Sequence, residues 1–96
     1  MVIILLELKA KEGTGNSLIE MMKGAFPDTR AYEGNIDIIA LQSQDDPDSI
    51  IAYERWETRE HYEKYLAWRT ETGVLDAIKN ATIGEPSIRY FNVTDA

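Results

Sequence analysis

Five of the nine aromatic side chains in this sequence fall within one stretch, Ile50 to Gly73, which reads IIAYERWETREHYEKYLAWRTETG. They are Tyr53, Trp56, Tyr62, Tyr65 and Trp68, with Arg55 and Arg69 among them. Flat rings beside guanidinium groups suit the wall of a pocket for a flat organic molecule. The rings supply apolar area and stacking. An aromatic core would use the same residues. On a strand, Glu54 and Trp56 share one face and Tyr53 and Arg55 the other. If Glu54 is the buried member it needs a partner, which Arg69 or a tyrosine hydroxyl could supply. A structural ion pair and a general base are both open to it.

Most other chemistry is excluded by residue type. The chain has one histidine, His61, and no cysteine. That leaves no disulfide framework, no thiol nucleophile and no histidine cluster for a metal. His61 reads as a solvated residue at the start of a helix. Gly13-Thr14-Gly15 lacks the third glycine of a phosphate loop, and Asp45, Asp46 and Asp48 lack the glutamate that a calcium loop needs. The formal net charge of −7 over 96 residues argues against nucleic acid and against an anionic membrane surface. The opening run from Val2 to Leu8 is too short for a membrane span and has neither a basic leader nor a cleavage site, so it reads as a strand. With no cysteine, the expected location is a reducing cytoplasm.

The elements that must position these residues form one domain over residues 1–96. The first strand runs Val2 to Lys9 and is apolar on both faces, so both sides of its sheet are covered. Ser17 and Glu20 have capping-box spacing, and the helix they open is expected to end at Pro27. A second strand is expected from about Tyr32 to Ser43. A polar hairpin loop and a third strand, about Ser49 to Glu57, come next. Thr58 caps a helix that runs to about Thr72, where Gly73 stops it. A short helix from Val74 to Asn80 and a last strand from about Pro86 to Val93 complete the chain. The order β-α-β-β-α-β is the ferredoxin-like α+β arrangement: a four-stranded antiparallel sheet with its helices on one face. A second copy of the chain is the cheapest cover for the other face, so a homodimer is expected.

Tyr32-Glu-Gly-Asn35, Asp46-Pro47 and Tyr53-Glu54-Arg55-Trp56-Glu57-Thr58, followed by the aromatic helix, resemble the antibiotic biosynthesis monooxygenase family over nearly the whole chain. The resemblance implies a dimeric α+β barrel with a pocket between sheet and helices in each protomer. It also implies a monooxygenase without metal, flavin or other cofactor, which deprotonates an aromatic phenol or quinol and lets the anion react with molecular oxygen. Where haem-degrading relatives carry asparagine, tryptophan and histidine, this chain has Leu6, Tyr65 and Leu75, so no haem is implied. On this reading Tyr65 and Arg69 are catalytic and hold the substrate oxyanion. Trp56 and Trp68 wall the ring, with Tyr32, Asn35 and Tyr62 completing the substrate site. A non-catalytic ligand-binding or dimerisation module of the same fold, or a related isomerase or cyclase, remains the alternative.

Overall fold

The computed structural model describes every residue from Met1 to Ala96. Its elements are β1 (Val2–Lys9), α1 (Gly15–Ala31), β2 (Asn35–Gln42), β3 (Ser49–Trp56), α2 (Arg59–Glu71), α3 (Val74–Asn80) and β4 (Ser87–Asn92). The strands form one antiparallel sheet in the order β2-β3-β1-β4. This is the expected α+β architecture. β1 is an interior strand, which explains its apolarity. Val2, Ile4, Leu6 and Leu8 are buried under the helices, while Ile3 and Leu5 lie half-buried on the other face.

The register fixes what faces the helices. Ile4 pairs with Glu54, and Leu6 with Ala52. Ile38 pairs with Glu54 from the other side. Directly opposed residues share a face, so Glu54 sits on the inner surface between two isoleucines. The core divides into two clusters. One, under α1, includes Leu6, Leu18, Met22, Ile38 and Ala52. The other, under α2, comprises Val2, Ile4, Trp56, Tyr62 and Tyr65.

Three local expectations are corrected. The helix α1 starts at Gly15, and its N-cap Thr14 makes no side-chain cap. The Asp48 carboxylate does that work from the β2–β3 loop, accepting from the backbone N–H of Gly13 and of Gly15, both at 2.9 Å. Gly15 is required there, because a Cβ would stand 2.1 Å from the Pro47 carbonyl oxygen. Second, α1 passes through Pro27 and ends at Ala31. Pro27 and Lys23 are both exposed, so the carbonyl that the proline leaves unpaired can face water. Third, β2 begins at Asn35, after a turn at Gly34, and carries a register shift between Asn35 and Asp37. Ile36 is the extra residue and is exposed.

Because Asp48 satisfies the first N–H of α1 and that of Gly13 just before it in a partly covered position, Asp48→Ala is expected to cost about 1–2 kcal/mol. Urea unfolding of the two proteins measures this, and equal midpoints would show that the contact contributes nothing.

Candidate functional site

A cavity of about 330 Å³ lies at the seam between the two core clusters. Its floor is Leu6, Ile38 and Ala52 of the sheet, with Glu54 at one edge. From α1 come Met21, Met22, Ala25 and Phe26. Tyr62, Tyr65, Leu66 and Arg69 come from α2, and Leu75 and Ile78 from α3. The size is at the lower end for small-molecule sites, and the lining is apolar with a few polar groups, as such sites are.

Arg69 is the most informative polar group. It is 5% exposed and pairs with no carboxylate. Its Nε–H donates to the Tyr65 hydroxyl at 2.9 Å. Its Nη2 donates to the Ala25 carbonyl at 2.7 Å and to Thr29 Oγ1 at 3.1 Å. Nη1 has no acceptor among these bonds. Thr29 Oγ1 and the Tyr65 hydroxyl are 2.6 Å apart. Since Tyr65 accepts from Arg69, its own proton is free to go to Thr29, and Thr29 can donate to the Ala25 carbonyl at 3.5 Å. The Tyr65 hydroxyl is therefore committed to holding Arg69 rather than free for a ligand. The Trp68 ring, 4.7 Å from the guanidinium carbon, contributes a cation–π contact.

Glu54 is 2% exposed. The Trp56 indole N–H donates to its Oε1 at 3.1 Å, because the two residues are neighbours on one strand face. That indole, and not Arg69 or a tyrosine, is the partner burial demands. No protein group donates to Oε2. Burial pushes the carboxyl up to about 7, against the pull of the Trp56 N–H. Burial also raises the Tyr62 hydroxyl well above its ordinary range, with the charge of Glu54 adding to the effect. Tyr62 thus stays neutral and can donate.

The other expected residues lie around the cavity rather than on it. Trp56 is fully buried behind it, with its ring 5.0 Å from Tyr65 and 5.5 Å from Tyr62 between centroids. Tyr32 stacks on Trp68 at 5.3 Å on the far side of Tyr65. Asn35 stands at the start of β2 opposite Trp56, and its side-chain oxygen is buried without a partner. His61 is half-buried rather than fully solvated. Its Nδ1 lies 2.7 Å from Thr58 Oγ1, and its ring packs where a Cβ on Gly34 would fall. No three His, Cys, Asp or Glu side chains form a metal-ligating group. No helix is long and apolar enough to cross a membrane.

The α1 residues and Thr29 were not among the residues expected at the site. Met22, Phe26 and Thr29 do recur at helical spacing, which marks an inward face. Spacing alone does not tell which part of such a face packs and which part borders a void.

A ferredoxin-like domain with a partly open apolar cavity and a buried cation has the form of a small-molecule site. The sequence profile of the antibiotic biosynthesis monooxygenase family matches residues 1–79, and the chain belongs to that family. No curated protein sequence matches it. Among solved structures, it is similar to a candidate antibiotic biosynthesis monooxygenase from Deinococcus radiodurans. The TM-score is 0.84 at 21% identity, covering 100% of this chain and 95% of that one. A second candidate of the same description, from Nitrosomonas europaea, gives 0.78 at 20% identity, with 97% and 98% covered. A conserved protein from Methanosarcina mazei gives 0.85 at 14% identity, with 97% and 92% covered. At these identities the likeness is one of fold.

Proposed function

We propose that the chain is a cofactor-independent monooxygenase acting on an aromatic phenol or quinol. The observation that carries this reading is Arg69, a buried cation without a counter-ion bordering an apolar cavity. Burying an unpaired charge is costly, so its retention favours a ligand that brings negative charge to it. For a quinol the reaction balances as quinol plus O₂ giving hydroxyquinone plus water. The substrate supplies the electrons, one oxygen atom enters the ring, and the other leaves as water. On this reading Arg69 Nη1 faces the substrate oxyanion, and Tyr65 positions Arg69. Tyr62 donates to the substrate, while Trp56, Trp68 and Tyr32 back the wall. Asn35 contributes at its rim. The test is oxygen uptake by chelator-treated protein with a series of hydroquinones. Uptake that saturates with quinol and exceeds the protein-free rate supports the reading. No uptake with any quinol would favour the non-catalytic or isomerase alternatives.

We also propose that a second copy covers the outer sheet face. Ile3, Leu5, Ile39, Leu41, Ile51 and Tyr53 form an apolar surface there, with Ile39 55% and Leu41 47% exposed. The Asp37–Arg55 and Glu7–Arg89 ion pairs flank it. A dimer burying at least about 1,200 Å² is expected, and sedimentation checks it. Ile39→Glu should shift the protein to monomer, and a parent that sediments as a monomer at micromolar concentration would overturn the expectation.

A further inference from the structure

We propose that Glu54 is the proton acceptor of this site, taking the O–H proton of the bound substrate at Oε2. The inference rests on reading the cavity as a substrate site, but its evidence is separate. Five titratable side chains border the cavity: Asp28, Glu54, Tyr62, Tyr65 and Arg69. Asp28 is exposed. Tyr65 is committed to Arg69 and Thr29. Tyr62 is neutral, and Arg69 is a cation that can only donate. Of the five, Glu54 alone is a buried carboxyl with an oxygen that accepts no hydrogen bond from the protein.

Its anchoring fits the role. Trp56 fixes one carboxylate oxygen, which orients the group and leaves Oε2 free. Arg69 is not among the groups that lower its pKa, so the two are independent tools and not an ion pair. The titratable and charged groups that border the cavity with Glu54 are Tyr62, Tyr65 and Arg69 from α2 and Asp28 from α1, with Trp56 beside it on its own strand. Tyr90 on β4 also senses its charge. The part of α3 that borders the cavity brings only apolar side chains.

In the step itself the substrate O–H bond breaks, a bond from that proton to Oε2 forms, and the electron pair stays on the substrate oxygen. The proton leaves Glu54 as oxygen is reduced to water. Glu54 must be ionised to begin, so turnover should rise with pH through about 7.

Two measurements test this. The first uses 2-naphthoate, an anion that cannot lose a further proton, with binding followed by protein fluorescence between about pH 5 and 9. With Glu54 facing the ligand, parent affinity falls about tenfold per pH unit above about 7, because the carboxylate must be protonated to tolerate a second anion. In Glu54→Gln, which keeps the shape and an oxygen for Trp56, affinity stays flat. Equal slopes in the two proteins, or no binding to the parent, would overturn the proposal. The second is oxygen uptake with a hydroquinone. Glu54→Gln should lose about 10²–10⁴-fold in kcat together with the limb near pH 7, and Glu54→Asp should recover part of both. Full activity in Glu54→Gln would overturn the proposal. The expected naphthoate behaviour with no oxygen uptake by the parent would remove the oxygenase reading and leave Glu54 as the site's titrating group.

Discussion

Arg69→Met is expected to abolish most oxygen uptake while leaving the protein folded. Loss of one pre-placed donor to a developing oxyanion typically costs about 10²–10³-fold in rate. Stability should change little, within about 2 kcal/mol. Replacing a buried charge by an apolar side chain of similar length is often neutral. The hydroxyls of Thr29 and Tyr65, 2.6 Å apart, can also continue to pair when the guanidinium is gone. Tyr65→Phe should behave differently. It keeps the cation but leaves the buried Arg69 Nε–H without its acceptor. A buried donor left unpaired costs about 1–3 kcal/mol, and more when it is charged. Tyr65→Phe should therefore melt earlier than Arg69→Met yet retain more activity. Thermal melts and oxygen uptake on the two variants check the order. The reverse order would mean that Arg69 serves packing and Tyr65 meets the substrate.

The second large effect is a pH-dependent gain of stability. The Glu54 carboxyl has its folded-state pKa raised from 4.5 to about 7. A raised acid binds its proton more tightly in the folded state. Its contribution is therefore fully present below about 4.5 and is lost as pH rises through about 7. The gap between those values corresponds to about 3 kcal/mol as an upper figure. Glu54→Gln never ionises, so it should match the parent near pH 4 and exceed it by up to about 3 kcal/mol at pH 8. Asp37 and Asp46, which pair with Arg55 and Lys9, have lowered pKa values, and their stabilisation fades only at more acidic pH. They are common to both proteins, so the difference between parent and variant isolates Glu54. Urea unfolding across this range checks it. Parallel curves would mean that Glu54 is solvated in the folded protein. A side chain that costs stability at neutral pH, and whose removal costs activity, carries the signature of a functional group rather than a structural one.

How much of this was legible in the sequence depended on the range of the forces. The two-sided apolarity of Val2 to Leu8 placed β1 inside a sheet, because strand alternation is local. The Thr58 cap was equally legible: its side chain accepts from the His61 N–H three residues on. The start of α1 was not. Its cap is Asp48, 33 residues away in sequence, and no local pattern reports such a contact. Pro27 misled because a proline on an exposed helix face breaks one hydrogen bond without breaking the helix. At the site, the spacing of Tyr62, Leu66 and Arg69 marked one helix face, and all three border the cavity, joined by Tyr65 from the adjacent face. Glu54 was visible as a carboxylate alternating with Trp56 on one strand face. Which of its oxygens is held and which is free depends on the indole orientation, and that is a property of tertiary packing.

Isotope labelling separates oxygen insertion into the ring from simple oxidation of the quinol. Chelator-treated protein is supplied with a hydroquinone it oxidises under ¹⁸O₂, and the product is weighed by mass spectrometry. The expected product is a hydroxyquinone carrying one ¹⁸O atom per molecule formed, with the second atom in water and the yield falling in Arg69→Met. Unlabelled quinone with one equivalent of hydrogen peroxide, or product formation unchanged in Arg69→Met, would contradict it.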